Sequence, residues 1–158
     1  NAPFRRYKSR MHEGGIATPL IAYWPGIIPK NSLTNQVGHI IDFLPTFLEI
    51  GNGNYPSKYQ GHSILPTEGM SLLSVLKSPS KTITRKEPLY WFFSGSRAIR
   101  EGDWKLVWDK NVKKWELYNL AEDRTEMHDL AEKKPVLVKR LRTQWEKWAY
   151  KTDVNYNN

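Results

Sequence analysis

The chain has 158 residues, and no apolar run among them approaches the ~20 residues of a membrane-spanning helix. An aromatic share of 13%, with seven Trp, argues against disorder, and the absence of Cys excludes a disulfide scaffold, a thiolate metal site and a cysteine nucleophile within these residues. The net charge of +8 fits an anionic ligand, or serves solubility alone.

The chain begins at Asn1 with neither an initiator Met nor a leader pattern, and is read as the later part of a longer protein. Residues 1–15 are polar and basic, carrying Arg5, Arg6, Lys8 and Arg10, and end in Glu13-Gly14-Gly15. The apolar run 16–24, closed by Pro25-Gly26, predicts a buried strand that Pro19 keeps short. Residues 37–50 predict a helix with Asp42 as cap, Pro45 in the first turn and Gly51 at the end. Phe43, Leu44, Phe47 and Leu48 would form its apolar face. Residues 51–70 read as an irregular loop, 71–76 as a short helix and 78–86 as a linker.

From Pro88 the pattern changes. Four short runs, 89–93, 97–100, 104–108 and 115–120, are rich in aromatic and branched residues and separated by turn signals. Their spacing predicts antiparallel hairpins. Trp104, Leu106 and Trp108 alternate with Lys105 and Val107, as in a half-buried strand. A helix over 135–150 follows, opened by Pro135, with Leu137, Leu141, Trp145 and Trp148 in a stripe. Four strands on one amphipathic helix make a two-layer unit.

Chemistry alone outlines no complete site. There is no glycine-rich phosphate loop and no paired-His zinc motif. His12, His39, His62 and His128 are scattered, and Glu13, Asp42, Asp103 and Asp123 read as caps or turn acceptors, so no metal ligand is assigned. The exception is Lys8, an ammonium placed shortly before a Gly-Gly turn whose backbone can approach a ligand closely.

The stretch from Lys8 to Gly26 resembles the type I, formylglycine-dependent sulfatases of the alkaline-phosphatase-like superfamily. Lys8, Glu13-Gly14-Gly15, Pro19 and Trp24-Pro25-Gly26 match the family pattern in place. Further matches follow in order: His39 to Asp42 with Pro45 and Thr46, Gly69-Met70-Ser71-Leu72-Leu73, Arg97 to Leu106, and Leu117-Tyr118 with Leu120, Asp123 and Glu126. Two positions depart from it. Ala17 stands where Arg is frequent, and Trp91-Phe92-Phe93-Ser94-Gly95 replaces a common Trp-Glu-His-Glu-Gly.

The resemblance implies an α/β plus α+β architecture. Residues 1–86 would end the large catalytic α/β domain. Residues 87–158 would form a C-terminal subdomain, a four-stranded antiparallel sheet packed on the last helix. It implies hydrolysis of sulfate esters, from aryl sulfates or sulfated carbohydrates, by the complete protein. Lys8 would contact the sulfate. His12, Phe92, Phe93 and Ser94 would line the substrate, unless one Phe is core and the other plain surface. The nucleophile motif and the calcium ligands of the family lie upstream, so this chain alone is expected to be inactive and to bind no metal. The remainder of the same chain is the expected partner, with no nucleic acid, and the location is expected to be periplasmic or otherwise extracytoplasmic. A phosphoester or phosphonate hydrolase of the same superfamily is the near rival. A stand-alone basic module binding nucleic acid or a polyanionic glycan is the reading from another class; its basic residues are spread and no nucleic-acid motif matches.

Overall fold

A computed structural model describes residues 2–155. In chain order the elements are α1 (Glu13–Ile16), a 3-10 turn (Ile40–Asp42), α2 (Phe43–Ile50), β1 (Lys58–Tyr59), β2 (His62–Ser63), α3 (Leu73–Lys77), β3 (Leu89–Phe93), β4 (Ser96–Glu101), β5 (Trp104–Asp109), β6 (Lys114–Asn119) and α4 (Pro135–Lys151). They form two compact units, residues 2–19 with 86–155, and residues 20–85. The first segment thus belongs to the unit of the four-stranded sheet, whereas the sequence pattern grouped it with the residues up to 86.

Strands β3 to β6 form an antiparallel meander in sequence order. One face carries Ile99, Leu106 and Leu117, fully buried against Leu141, Trp145 and Ala149 of α4. Tyr90, Phe92, Trp104, Trp115, Leu137 and Trp148 pack around this core. The stripe read from the sequence is therefore the buried side of α4, with Ala149 as an added member that its small side chain hid. Pro135 opens the helix as expected, since its missing N–H falls where no intrahelical bond is made.

The opposite face is also covered. Ala98, Val107 and Tyr118 are buried there with Met11 and Leu120, and Ile16 and Trp91 pack against them. The alternation expected for β5 fails for this reason: Lys105 and Val107, placed in water by a half-buried strand, are fully buried. Apolar residues at both parities, such as Leu106 with Val107 and Leu117 with Tyr118, mark a sheet covered on two sides.

In residues 20–85 the helix expected over 37–50 is shorter. Residues 37–39 belong to no helix, the 3-10 turn follows, and α2 runs to Ile50 with Gly51 as its C-cap. The Asp42 side chain makes no cap bond to α2. It accepts instead from His39 N at 2.8 Å, Met70 N at 2.9 Å and the Arg85 guanidinium, and so ties three segments together. Thr46 Oγ1 extends the knot by donating to Asp42 O and accepting from Leu72 N. The motif residues His39, Asp42, Thr46 and Met70 are thus accounted for as locking contacts within this unit. The loop expected over 51–70 contains the small β1–β2 hairpin.

The strand expected over 16–24 is absent among the described residues. Ile16 ends α1, residues 17–24 pair with no strand, and Ile21 and Tyr23 are 90% and 88% exposed. A strand needs a neighbour for its backbone N–H and C=O groups, and the described residues supply none. The apolar face read on α2 is open in the same way, with Leu44 and Phe47 exposed.

Candidate functional site

The Lys8 turn is built on two glycines. Gly14 N donates to Arg5 O at 2.9 Å, and Arg10 N donates to Tyr7 O at 3.2 Å, so residues 5–10 fold back over α1. A Cβ on Gly14 would lie 2.3 Å from Arg6 O, and one on Gly15 would lie 2.1 Å from Arg10 O. No side chain fits at either position while this return is made. Arg6 and Ser9 flank the tip with φ of 65° and 70°, in the left-handed region that L-residues rarely enter. Lys8 stands exposed between them.

Beneath the turn lies a buried polar cluster on the second face of the sheet. Lys105 Nζ is 2.7 Å from Glu13 Oε1 and 2.9 Å from Glu126 Oε1, with Lys105 and Glu126 fully buried. Glu126 Oε2 accepts from Glu13 N at 2.6 Å. His12 Nε2 meets Glu116 Oε2 at 2.7 Å, and Arg5 reaches Glu116 Oε1 at 3.2 Å and Glu126 O at 3.0 Å. Arg10 pairs with Asp109 at 3.1 Å, and Arg6 lies 3.9 Å from the same carboxylate. Three cations of the turn are therefore committed to carboxylates. Among the described residues Lys8 has no such partner.

The charges hold one another in place. Burial alone would raise the Glu116 carboxyl, but the His12 hydrogen bond and the Arg5 charge outweigh it, and the group lies below the usual glutamate range. The Tyr118 hydroxyl is pushed up by burial and by Glu116 beside it. Glu13 is thus an ion-pair anchor inside the fold, where the sequence reading made it a turn acceptor. Asp123 does act as a turn acceptor, receiving bonds from Met127 N and His128 N.

The residues read as site residues do not form one group. His12 is fully buried on Glu116 and offers no surface within this chain for a substrate. Phe92 packs on the helix side, 6.2 Å from the Trp145 ring, while Phe93 is 55% exposed at the end of β3. Phe92 is half-buried and Phe93 is exposed. Ser94, at φ 49° in the hairpin turn, accepts from Lys110 Nζ at 2.7 Å. Lys105 escaped the sequence reading because strand alternation placed it in solvent. The signal that identifies it is the doubled apolar parity of β4, β5 and β6.

The sequence profile described as "N-sulphoglucosamine sulphohydrolase, C-terminal" matches residues 4–151. A sulfatase of Formosa agariphila is 34% identical over 149 residues, covering 85% of this chain and 26% of its own length. An N-acetylglucosamine-6-O-sulfatase of Bacteroides thetaiotaomicron is 31% identical over 134 residues, covering 78% of this chain and 23% of its own length. The crystal structure of Ps i-CgsB in complex with k-i-k-neocarrahexaose superimposes with a TM-score of 0.78 at 24% identity, over 95% of this chain and 32% of that one. The four-stranded sheet and terminal helix are thus a fold shared with solved structures. The chain spans about a quarter of the length of the curated relatives it matches.

Proposed function

Because the chain belongs to the family of N-sulphoglucosamine sulphohydrolase C-terminal domains, we propose that it serves as the C-terminal part of an enzyme hydrolysing sulfate esters of carbohydrates. The observation that carries this reading is Lys8, an ammonium with no carboxylate partner among the described residues, on a turn whose other cations are tied to the sheet. The substrate class is supported by the name of the relative that acts as an N-acetylglucosamine-6-O-sulfatase. Aryl sulfates are the simpler esters on which the same chemistry would run.

In this reading Lys8 binds the sulfuryl oxygens and stabilises the negative charge that grows as the S–O bond breaks. A fixed charge in place before the reaction needs no reorganisation during it. No proton transfer through Lys8 is required. In the same reading Phe93 and Ser94, at the exposed hairpin end, would meet a sugar face and its hydroxyls.

A formylglycine nucleophile and a calcium site would come from residues outside this chain. Among the described residues no three His, Asp or Glu side chains come together to hold a metal ion. The open apolar residues Ile21, Tyr23, Leu44 and Phe47 would be covered by the rest of the same protein, whose location we place outside the cytoplasm by family resemblance.

The 158-residue chain alone is accordingly expected to release no sulfate from an aryl sulfate or a 6-O-sulfated N-acetylglucosamine. The complete protein is expected to turn over at least one of them. Ion chromatography of released sulfate reads both. Turnover by the isolated chain above a Lys8→Ala control would show that the reading is wrong.

A further inference from the structure

We propose that Lys105 is a positioning residue for Lys8, holding the turn that carries it through two buried ion pairs. The proposal rests on the assignment of Lys8 to the sulfate, and its test separates the two.

Lys105 lies in the middle of the sheet, opposite Tyr118 on β6 and Arg100 on β4. Its ammonium is fully enclosed and meets one carboxylate from α1 and one from the segment after β6. These contacts close a ring. Glu126 holds Lys105 with Oε1 and the Glu13 amide with Oε2, while the Glu13 side chain returns to Lys105. Both the backbone and the side chain of Glu13 are thereby fixed in direction. The next residue, Gly14, passes that placement on by donating to Arg5 O, where the Lys8 turn begins.

An apolar side chain at position 105 would cover the same area without this result. Burial of apolar surface is non-directional, and a buried ion pair is often no more stabilising than well-packed hydrophobic residues of similar volume. What the ion pairs add is orientation. The two ends of the turn are held in the same manner, Arg5 on Glu116 of β6 and Arg10 on Asp109 of β5. The tip residue Lys8 is left exposed and unpaired among the described residues. The sheet thus acts as the bed on which the ammonium is set, and a displacement of about 1 Å at such a group is enough to lower a rate by about 10²-fold.

The test uses the complete enzyme with all three charges neutralised together, Glu13→Gln, Lys105→Met and Glu126→Gln, so that no unpaired buried charge remains to unfold it. Hydrogen exchange is followed at the amides of Arg10, Glu13 and Gly14, beside kcat, KM and the unfolding midpoint. The expected result is a folded protein with exchange at these amides faster by about tenfold or more. In it kcat falls by about 10²-fold while KM stays within about twofold, the pattern of a contact made in the transition state. A merely structural role would leave kcat and local exchange at wild-type values once folding is retained, and that result overturns the proposal. Should the triple variant fail to fold, Glu13→Gln alone, which keeps the Lys105–Glu126 pair, is expected to give the same pattern at about tenfold in kcat; wild-type kcat in that folded variant overturns the proposal equally. If Lys8→Ala itself leaves kcat unchanged, the sulfate assignment fails, and the exchange readout alone decides whether Lys105 holds the turn.

Discussion

Replacing Lys8 by Ala in the complete enzyme is expected to lower turnover by about 10²–10³-fold, the scale for losing one preorganised electrostatic contact. The fold is not expected to change, because Lys8 is exposed and shares in none of the ion pairs beneath it. Lys8→Arg is expected to restore little, since a planar fork does not replace a compact ammonium. Lys139→Ala, on the solvent side of α4, is the matched control for losing one positive charge. Steady-state kinetics on a sulfate ester reads all three. Near wild-type turnover in a normally folded Lys8→Ala enzyme would make Lys8 an ordinary surface lysine.

The second large effect concerns stability. Trp145 is fully buried, donates from Nε1 to Trp91 O at 3.2 Å, and meets the rings of Phe92 and Trp148. Truncating it to Ala is expected to cost roughly 3–5 kcal/mol, and Leu141→Ala roughly 2–5 kcal/mol. Either is a large share of the ~5–15 kcal/mol that holds a typical domain. Thermal melts are expected to show a steep fall in the midpoint, or no cooperative transition in the unit of residues 2–19 and 86–155. A midpoint within about a degree of wild type would mean that this stripe is not core.

The sheet and the last helix were legible because short aromatic and branched runs stand between turn signals and the helix shows one apolar stripe. The strands from Leu89 to Asn119 are bounded by turns with Gly and Asn, and α4 shows one apolar stripe after Pro135. The Lys8 turn was legible in part, since Gly14 and Gly15 mark a close backbone return. What lay beneath it was not. Periodicity assigns a lysine in a strand to water, and only the cover of residues 11–16 over the second face places Lys105 inside. The burial of His12 and Glu13 was hidden for the same reason, because their partners Glu116 and Lys105 are about a hundred positions away in sequence. The run 16–24 has the composition of a strand but no partner here, so composition predicted pairing that these residues do not make.

In the proposed function the complete protein breaks sulfate esters with Lys8 at the sulfate, and the near rival is a phosphoester hydrolase on the same scaffold. One measurement compares them directly: the complete enzyme is offered the sulfate and phosphate esters of one phenol, in parallel, with wild type and Lys8→Ala. The proposed function has sulfate released faster than phosphate, and that release largely lost in Lys8→Ala. Phosphate release without sulfate release would contradict it.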